Sequence, residues 1–278
     1  MRGLPASGKS TKAKELAEEI GNAVRVNRDL LRTMIHFGTW SGKNERFIKM
    51  AERAIASMFL DENLVVIVDD TNLHPGTVES WKQFAKENKH EFEIFNVDTD
   101  YIECIDRDSL REDSVGRNVI VKMARQYGMY PFDKREIICD IDGTLCNIDH
   151  RLHYVRGEQK DWDSFFHAMK DDEPRPEIID ILCDKAAEGY RILLVSGRPE
   201  EYRGLTQRWL FNFGVPYTDL FMRPKGDHRP DTEIKQEILD RYFKKELIDL
   251  VIDDRPSVIR MWRENGLEVM DVGNGVEF

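Results

Sequence analysis

The sequence predicts an α/β protein of two parallel-sheet, three-layer domains, one over residues 1–130 and one over 131–278. Three observations predict it. Short, continuously apolar runs alternate with helix-period stretches along the whole chain, as in parallel sheets covered on both faces. The 278 residues exceed a single typical domain of roughly 100–200. At 127–136, YGMYPFDKRE gathers a glycine, a proline and charges just before a new apolar strand.

The elements follow in order. A helix is expected over 11–20, then strands at 24–27 (VRVN), 64–69 (LVVIVD) and 92–97 (FEIFNV). Helical spacing fills the intervals, as at Phe47, Ile48, Ala51, Ala54, Ile55 and Met58. The second half predicts strands at 137–142 (IICDID), 191–196 (RILLVS), 247–252 (LIDLVI) and 267–271 (LEVMD). Residues 146–176 are rich in charge and aromatics and poor in strand pattern, and read as a small cap insertion over a site in this half.

Composition narrows the class. With 41% apolar and 33% charged residues, the chain builds a core and is not of the disordered type. No apolar run reaches the length of a membrane span, and the first residues lack the pattern of a secretory leader. A cytoplasmic place without membrane attachment is expected. Cys104, Cys139, Cys146 and Cys183 show no CxxC spacing and read as reduced thiols without a metal role. The net charge of −11 argues against a protein that coats nucleic acid, but not against one that grips a strand end with a few arginines.

Two motifs carry chemistry. Gly3 to Ser10 (GLPASGKS) fits GxxxxGK[ST], a loop whose amides surround phosphates at the head of a helix. Gly3, Ser7, Gly8, Lys9, Ser10 and Thr11 are the expected nucleotide contacts, with Lys9 on the β/γ-phosphates and Ser10 on Mg²⁺. The strand at 64–68 delivers Asp69 and Asp70 facing that loop. The strand at 24–27 delivers Asn27-Arg28-Asp29, a carboxylate able to take a proton from an attacking hydroxyl, with Arg32 beyond it for an acceptor phosphate. Arg107 and Arg111, four apart on an expected helix, would close over the nucleotide.

The second motif is DIDGT at 140–144. Period-two spacing sends Asp140 and Asp142 to one side of a strand end, one as nucleophile and the other as general acid and base, with Mg²⁺ offsetting phosphoryl charge. Its string, hDhDGT, resembles that of the haloacid dehalogenase superfamily of phosphotransferases. The companions come in order. Ser196, Gly197 and Arg198 offer donors to phosphoryl oxygens, Lys235 neutralises an aspartyl-phosphate, and Asp253 and Asp254 hold the metal with Asp140 and Asp142.

Taken together, the chain resembles the bacteriophage-type polynucleotide 5′-kinase/3′-phosphatase over nearly its full length, kinase half first. The carrying residues are Asn27-Arg28-Asp29-Leu30-Leu31-Arg32, Asp70-Thr71-Asn72-Leu73-His74-Pro75, the arginines 107 and 111, and MRPKGDHRPDTEIK. The resemblance implies Asp29 as base on a 5′-hydroxyl, Arg32 and Asp70 on the acceptor, and Arg111 on the donor phosphates. It implies Arg151, Arg223 and Asp231 as phosphatase substrate contacts and Lys235 as catalytic.

ATP or another nucleoside triphosphate and Mg²⁺ would be the cofactors. RNA or DNA ends would be the substrates, with 3′-phosphate or 2′,3′-cyclic phosphate removed before a ligase acts, in a host cytoplasm if phage-encoded. Homo-oligomerisation stays open. Two features depart from the family: Ala6 stands where its loop has glycine, and only Met1 and Arg2 precede the loop, so its first strand is expected to be absent. Two rivals are weighed: a small-molecule kinase fused to a nucleotidase or acid phosphatase, and a repair scaffold with an inactive kinase half.

Other candidates read as structural. His150 and His153 are expected on the cap surface, and Trp162, Phe165 and Phe166 in an apolar cap interior. Asp171, Asp172 and Glu173 are expected to form a solvated helix start, and Trp81 and Trp262 to lie in the core.

Overall fold

The computed structural model describes residues 1–156 and 159–275, so residues 157 and 158 of the expected cap insertion, and 276–278, lie outside the described residues. It is mixed α/β with parallel sheets and divides into Met1–Tyr130 and Pro131–Phe278.

In the first unit, α1 (Lys9–Ile20), β1 (Ala23–Val26), α2 (Arg28–His36), α3 (Gly42–Asp61), β2 (Val65–Val68), α4 (Pro75–Glu87), α5 (Tyr101–Ser109) and α6 (Arg117–Gln126) follow one another. β1 and β2 pair in parallel from Ala23↔Val65 to Val26↔Val68. Side-chain caps set the helix starts: Asn27 accepts from Leu30 N and Ser41 from Asn44 N, a contribution of about 1 kcal/mol each. Val26, Leu31 and Ile48 pack with Ile55 and Val66 into a core against this short sheet.

The strand expected at 92–97 does not form. Its one ladder contact is a parallel bridge from Asn96 to Arg2. Arg2 N donates to Phe95 O at 2.8 Å, Val97 N to Arg2 O at 2.8 Å, Gly3 N to Thr71 O at 3.1 Å and the Met1 amino group to Val68 O at 3.0 Å. Met1–Gly3 therefore runs between the end of β2 and residues 95–97 and leads straight into the phosphate loop. Residues 92–95 instead line a groove of about 950 Å³ with Val65, Val66, Ile67 and Val68. A strand needs a paired backbone along its length, and Arg2 supplies that only at Asn96.

The second unit is built on one five-stranded parallel sheet. Its strands are β3 (Glu136–Cys139), β6 (Arg191–Pro199), β7 (Asp219–Arg223), β8 (Ile248–Asp253) and β9 (Val269–Asp271), in the order β7-β6-β3-β8-β9. Alternate residues divide between two cores. Cys139, Ile192, Leu194, Leu220 and Met222 pack with Ile178, Leu182, Trp209 and Leu210, from α8 (Pro176–Ala187) and α9 (Arg203–Asn212). Ile138, Leu193, Val195, Phe221 and Val251 pack with Ile238, Leu239, Val258 and Trp262, from α10 (Asp231–Tyr242) and α11 (Pro256–Glu264).

β7 is not among the strands expected from sequence, because DLFMR has only three consecutive apolar residues and its period cannot be told from a helix turn. The cap insertion is closed by a two-residue antiparallel ladder, β4 (Cys146–Asn147) with β5 (Glu173–Pro174). Between them lie 3₁₀ turns at Asp149–Tyr154 and Ala168–Asp171, and α7 (Trp162–His167). Phe165 is buried, but Trp162 is half exposed, contrary to the expected cap interior. Trp81 and Trp262 are buried, as core residues are.

One stability test follows from the loop. Ala6 has φ 57°, a left-handed conformation that costs a non-glycine residue roughly 1–2 kcal/mol. Ala6→Gly relieves this but loosens the unfolded chain, so a net gain of up to about 1 kcal/mol is expected in urea denaturation of the first unit.

Candidate active sites

The phosphate loop presents Gly8 at φ 94°, just before α1. Lys9 is buried, its ammonium resting on Leu4 O at 2.5 Å and near Ser7 Oγ at 3.4 Å. Burial pushes its pKa down, against the pull of Asp69 and Asp70. Among the described residues neither buried oxygen of Asp69 has a hydrogen-bond partner of ordinary geometry, with the Ser10 hydroxyl close by and Arg25 Nε 3.5 Å away. Burial pushes the Asp69 carboxyl up, an effect the Ser10 hydroxyl partly offsets. An orphaned carboxylate beside the loop serine suits a hard divalent cation carried with a nucleotide. Asp69 was not among the sequence candidates for this role, although its place at the strand end next to Asp70 was the available signal.

Asp70, expected at the acceptor, is taken by Arg28, whose backbone N and Nε donate to it at 3.1 and 2.8 Å. Asp29 stands 81% exposed on the first turn of α2 and pairs with Arg32. Arg32 also forks onto Glu45 at 2.9 and 3.2 Å. Arg107 donates to Ser7 O at 3.3 Å and pairs with Glu103 at 2.5 Å. Arg111 does not share its helix: α5 ends at Ser109, and Arg111 lies beyond it, bound to Asp113 at 2.9 and 2.6 Å. Thr11 is exposed on the first turn of α1.

In the second unit, the end of β3 delivers Asp140 to a cluster with Asp253 and Asp254, all buried, with carboxylate oxygens within 4.8 Å of one another. Lys235, on α10, donates to Asp140 Oδ1 at 2.7 Å and to Asp253 Oδ2 at 2.8 Å. Trp262 Nε1 donates to Asp253 Oδ2 at 3.1 Å, and Thr144 Oγ1 to Asp254 Oδ1 at 3.0 Å. The turn at Gly143 has φ 85°, and a Cβ there would stand 2.1 Å from Asp254 Oδ2, so this position admits only glycine. Burial, with Asp253 and Asp254, pushes Asp140 well up despite Lys235. Asp254 is pushed up to about 6 by burial and by Asp253. Three buried carboxylates facing one ammonium leave a surplus of negative charge that fits a divalent cation.

Asp142, expected among the metal ligands, lies outside that cluster. Its Oδ1 accepts from Arg151 Nη2 at 2.5 Å and from Arg198 Nε and Nη2 at 2.9 and 2.6 Å. Burial opposes its charge, yet the two guanidinium groups outweigh it and hold the carboxyl well below the usual carboxylate range. Both arginines are themselves fully buried. Their second anchor is Asp172, which takes Arg151 at 2.7 Å through both Nε and Nη2 and Arg198 at 2.8 Å.

Asp172 is 2% exposed, with His150 Nε2 2.9 Å away and Cys146 Sγ 3.3 Å away. The expected solvated helix start is thus corrected: the β4–β5 ladder draws Asp172 inward to balance two buried cations. Asp142, Cys146 and Asp172 have metal-like proximity, but the guanidinium groups already neutralise them.

Ser196 is buried, and its Oγ accepts from Arg198 N at 3.2 Å. Gly197 lies so close to Asp231 that a Cβ would meet its Oδ1 at 2.5 Å. Asp231 is bracketed by Arg223 and by Arg255, the latter another residue that sequence reasoning did not select. Arg223 Nε donates to Gly197 O at 2.9 Å. The 196–198 turn is therefore fixed from below by an ion pair.

A family model described as the polynucleotide kinase PNKP phosphatase domain matches residues 134–277, and one described as an AAA domain matches residues 1–129. A protein of Autographa californica nuclear polyhedrosis virus, named for bifunctional polynucleotide kinase/RNA ligase activity, is 27% identical over an aligned length of 295 that covers 94% of this chain. The chain spans 40% of that relative's length. Chains in two structures of the Pnkp1/Rnl/Hen1 complex, one titled an RNA repair complex, are 26% and 27% identical. They are aligned over 99% of this chain and 95% and 96% of theirs, with TM-scores of 0.44 and 0.45. No helix among the described residues is long and apolar enough to cross a membrane.

Two tests come from the charges. Asp172→Asn keeps the shape but halves the carboxylates facing Arg151 and Arg198. Hydrolysis of a small aryl phosphate is expected to fall roughly 10–100-fold, as when a partner that orients a contact is lost, with an unchanged melting temperature confirming the fold. Glu52, buried beside Asp70, is pushed up to about 9 by burial and by that carboxylate. The folded chain keeps this proton where an unfolded glutamate has lost it, so stability falls as pH rises from about 4.5 to about 9. Glu52→Gln is expected to flatten that fall, read as urea midpoints across the window.

Proposed function

The chain belongs to the polynucleotide kinase phosphatase-domain family, and from that premise we propose that it heals broken nucleic-acid ends. The first unit transfers the γ-phosphate of ATP or another nucleoside triphosphate to a 5′-hydroxyl. The second removes a 3′-phosphate, leaving the pair of ends a ligase joins. The observation that carries this reading is the Asp140–Lys235–Asp253–Asp254 cluster beside an Asp142 gripped by two buried arginines. The viral relative's name supports a polynucleotide as the shared substrate.

In the second unit, Asp140 attacks the phosphorus and the bond to the 3′-oxygen breaks, with Asp142, protonated once the phosphoryl group has drawn Arg151 and Arg198 from it, delivering the proton that oxygen needs. Asp142 then takes a proton from the water that opens the aspartyl-phosphate, and inorganic phosphate leaves. Arg151, Arg198 and the Ser196–Gly197 turn orient the phosphoryl oxygens, and Lys235 offsets the charge on Asp140.

In the first unit, Asp29 takes the proton of the 5′-hydroxyl as its oxygen attacks the γ-phosphorus and the β–γ bridge breaks. Lys9 exchanges the Leu4 carbonyl for phosphate oxygens, and Arg107 and Arg111 close from outside. Bound Mg²⁺, held by Asp140, Asp253 and Asp254 in one unit and by Ser10 and Asp69 in the other, supplies neutralisation of phosphoryl charge.

Asp140→Asn is expected to lower 3′-phosphate release about 10³-fold or more while leaving 5′ transfer intact. Lys9→Ala is expected to lower 5′ transfer about 10²-fold or more and spare the phosphatase. Both are measured on matched RNA and DNA oligonucleotides with labelled ATP and with 3′-phosphate ends. A variant that lost both activities while still folded would refute the two-site assignment, and a preference for nucleosides over oligonucleotides would favour a small-molecule kinase.

A further inference from the structure

An exposed face of the first unit has no place in the chemistry above. Six residues on it, Trp40, Glu45, Arg46, Lys49, Met50 and Arg53, line an open groove of about 780 Å³. Five of the six lie on α3, with Arg46, Lys49, Met50 and Arg53 at spacings of one, four, five and eight from Glu45, so they form one stripe along the helix, and Trp40 lies just before its amino end. Trp40 is 69% exposed and Met50 58%.

Nearby Phe37 is 94% exposed and held at φ 50°, just after α2. A tryptophan so uncovered gains nothing from the core, and a stripe of cations is poor ground for a second apolar surface. Aromatic rings beside free cations suit stacked bases and a phosphate backbone.

Charge points the same way. From Arg28 to Arg53 there are six lysines and arginines against three acidic residues, in a chain of net charge −11. Of those three acids, Glu45 is taken by Arg32 and Glu52 faces Arg28, while Asp29 also pairs with Arg32. Arg46 and Lys49 are exposed and make no ion pair among the described residues. Arg53 is fixed by stacking 3.5 Å over Trp81 and by a bond to Ser80 at 2.9 Å, and its Nη1 is buried, so it closes the far end of the groove.

The groove also joins the proposed acceptor site. Glu45, at its head, is the residue onto which Arg32 forks, and Arg32 holds Asp29.

We propose that this α3 groove is the seat of the single strand that trails the 5′ end being phosphorylated. Trp40 stacks on a base, and Arg46 and Lys49 bind successive phosphates. This rests on the kinase reading of the first unit and extends it, since the site would select a polynucleotide over a mononucleotide by contacts outside the chemistry. At 1.5 Å rise per residue the groove from Arg46 to Arg53 spans about 10 Å along the helix, room for a short stretch of extended strand beyond the first phosphate.

The test uses the full chain with Trp40→Ala and with Arg46→Ala/Lys49→Ala, each checked by its melting curve. The acceptors are a 5′-hydroxyl single-stranded 10-mer and a nucleoside 3′-monophosphate, and every chain compared carries Asp140→Asn so that the second unit does not strip the acceptor's phosphate. Either variant is expected to raise KM for the 10-mer roughly ten-fold, with kcat within about two-fold and the mononucleotide unaffected. The double variant is expected to lower the slope of log affinity against log salt by about 1.4, the share of two single-strand phosphate contacts.

An unchanged 10-mer KM and salt slope would overturn the proposal, as would equal losses with both acceptors. A change in solution mass caused by the same variants, with 10-mer binding intact, would overturn it in favour of a contact between copies. If the wild-type chain phosphorylated no 5′-hydroxyl at all, the kinase reading would fail. The groove would still be judged by polarisation binding of a labelled 10-mer and by Trp40 fluorescence, which a bound strand quenches.

Discussion

Buried charge that must be balanced is the constraint on which the second unit depends. Two guanidinium groups and one ammonium lie at essentially zero exposure, facing Asp140, Asp142, Asp172 and Asp253. An unpaired charge at such a depth costs several kcal/mol, so each element that brings in a cation must bring in an anion. Strand ends deliver the carboxylates, because successive residues past β3 and β8 emerge together at one edge of the sheet. The cap ladder delivers the remaining one, Asp172. The cap is therefore part of the electrostatics of the site and not only a cover, since without its β5 edge Arg151 and Arg198 would face Asp142 alone.

The same balance sorts the acidic residues into two kinds. Asp142 and Asp172 are matched by two guanidinium groups, which hold the Asp142 carboxyl below its ordinary range. Asp140, Asp253 and Asp254 share a single ammonium and carry surplus charge. That contrast, within one strand end and two residues of sequence, separates an acid–base group from a phosphoryl and cation platform. It also explains why two aspartates spaced by one residue can take different roles: they point to the same edge but meet different partners.

Much of this was legible in the sequence, and the limits were physical. β3, β6, β8 and β9 were expected within a few residues because each is a continuous apolar run, as a strand covered on both faces must be. Asp140, Asp253 and Asp254 were legible because strand-end carboxylates have a fixed direction, and Lys235 because it opens a helical pattern between β3 and β8. Asp172 was not, because its partners are Cys146, Arg151 and Arg198, at separations of 21 to 26 residues, and locally it reads as one of three acids before a helix. Residues 92–97 have strand composition but lack a partner backbone along most of their length, and composition cannot report pairing. Arg111 has helical spacing from Arg107, yet Leu110 ends the helix between them.

The phosphate loop shows how a short sheet can still hold an anion-binding shape. Two donors reach the outside of the loop at a single atom: Thr99 Oγ1 at 2.8 Å and Arg107 Nη1 at 3.3 Å both bind Ser7 O. A planar trans peptide points its N–H opposite its carbonyl, so fixing Ser7 O outward fixes the Gly8 amide inward. At Leu4 the logic reverses. Its carbonyl is free to turn toward Lys9 because the following residue, Pro5, has no N–H to lose. The Lys9 ammonium rests there, with that carbonyl as its strongest partner among the described residues. A carbonyl carries a partial charge where a phosphate carries a full one, so exchange of one for the other is favoured electrostatically. The loop is thus held by tertiary contacts from α5 and residue 99 as much as by the sheet beneath it.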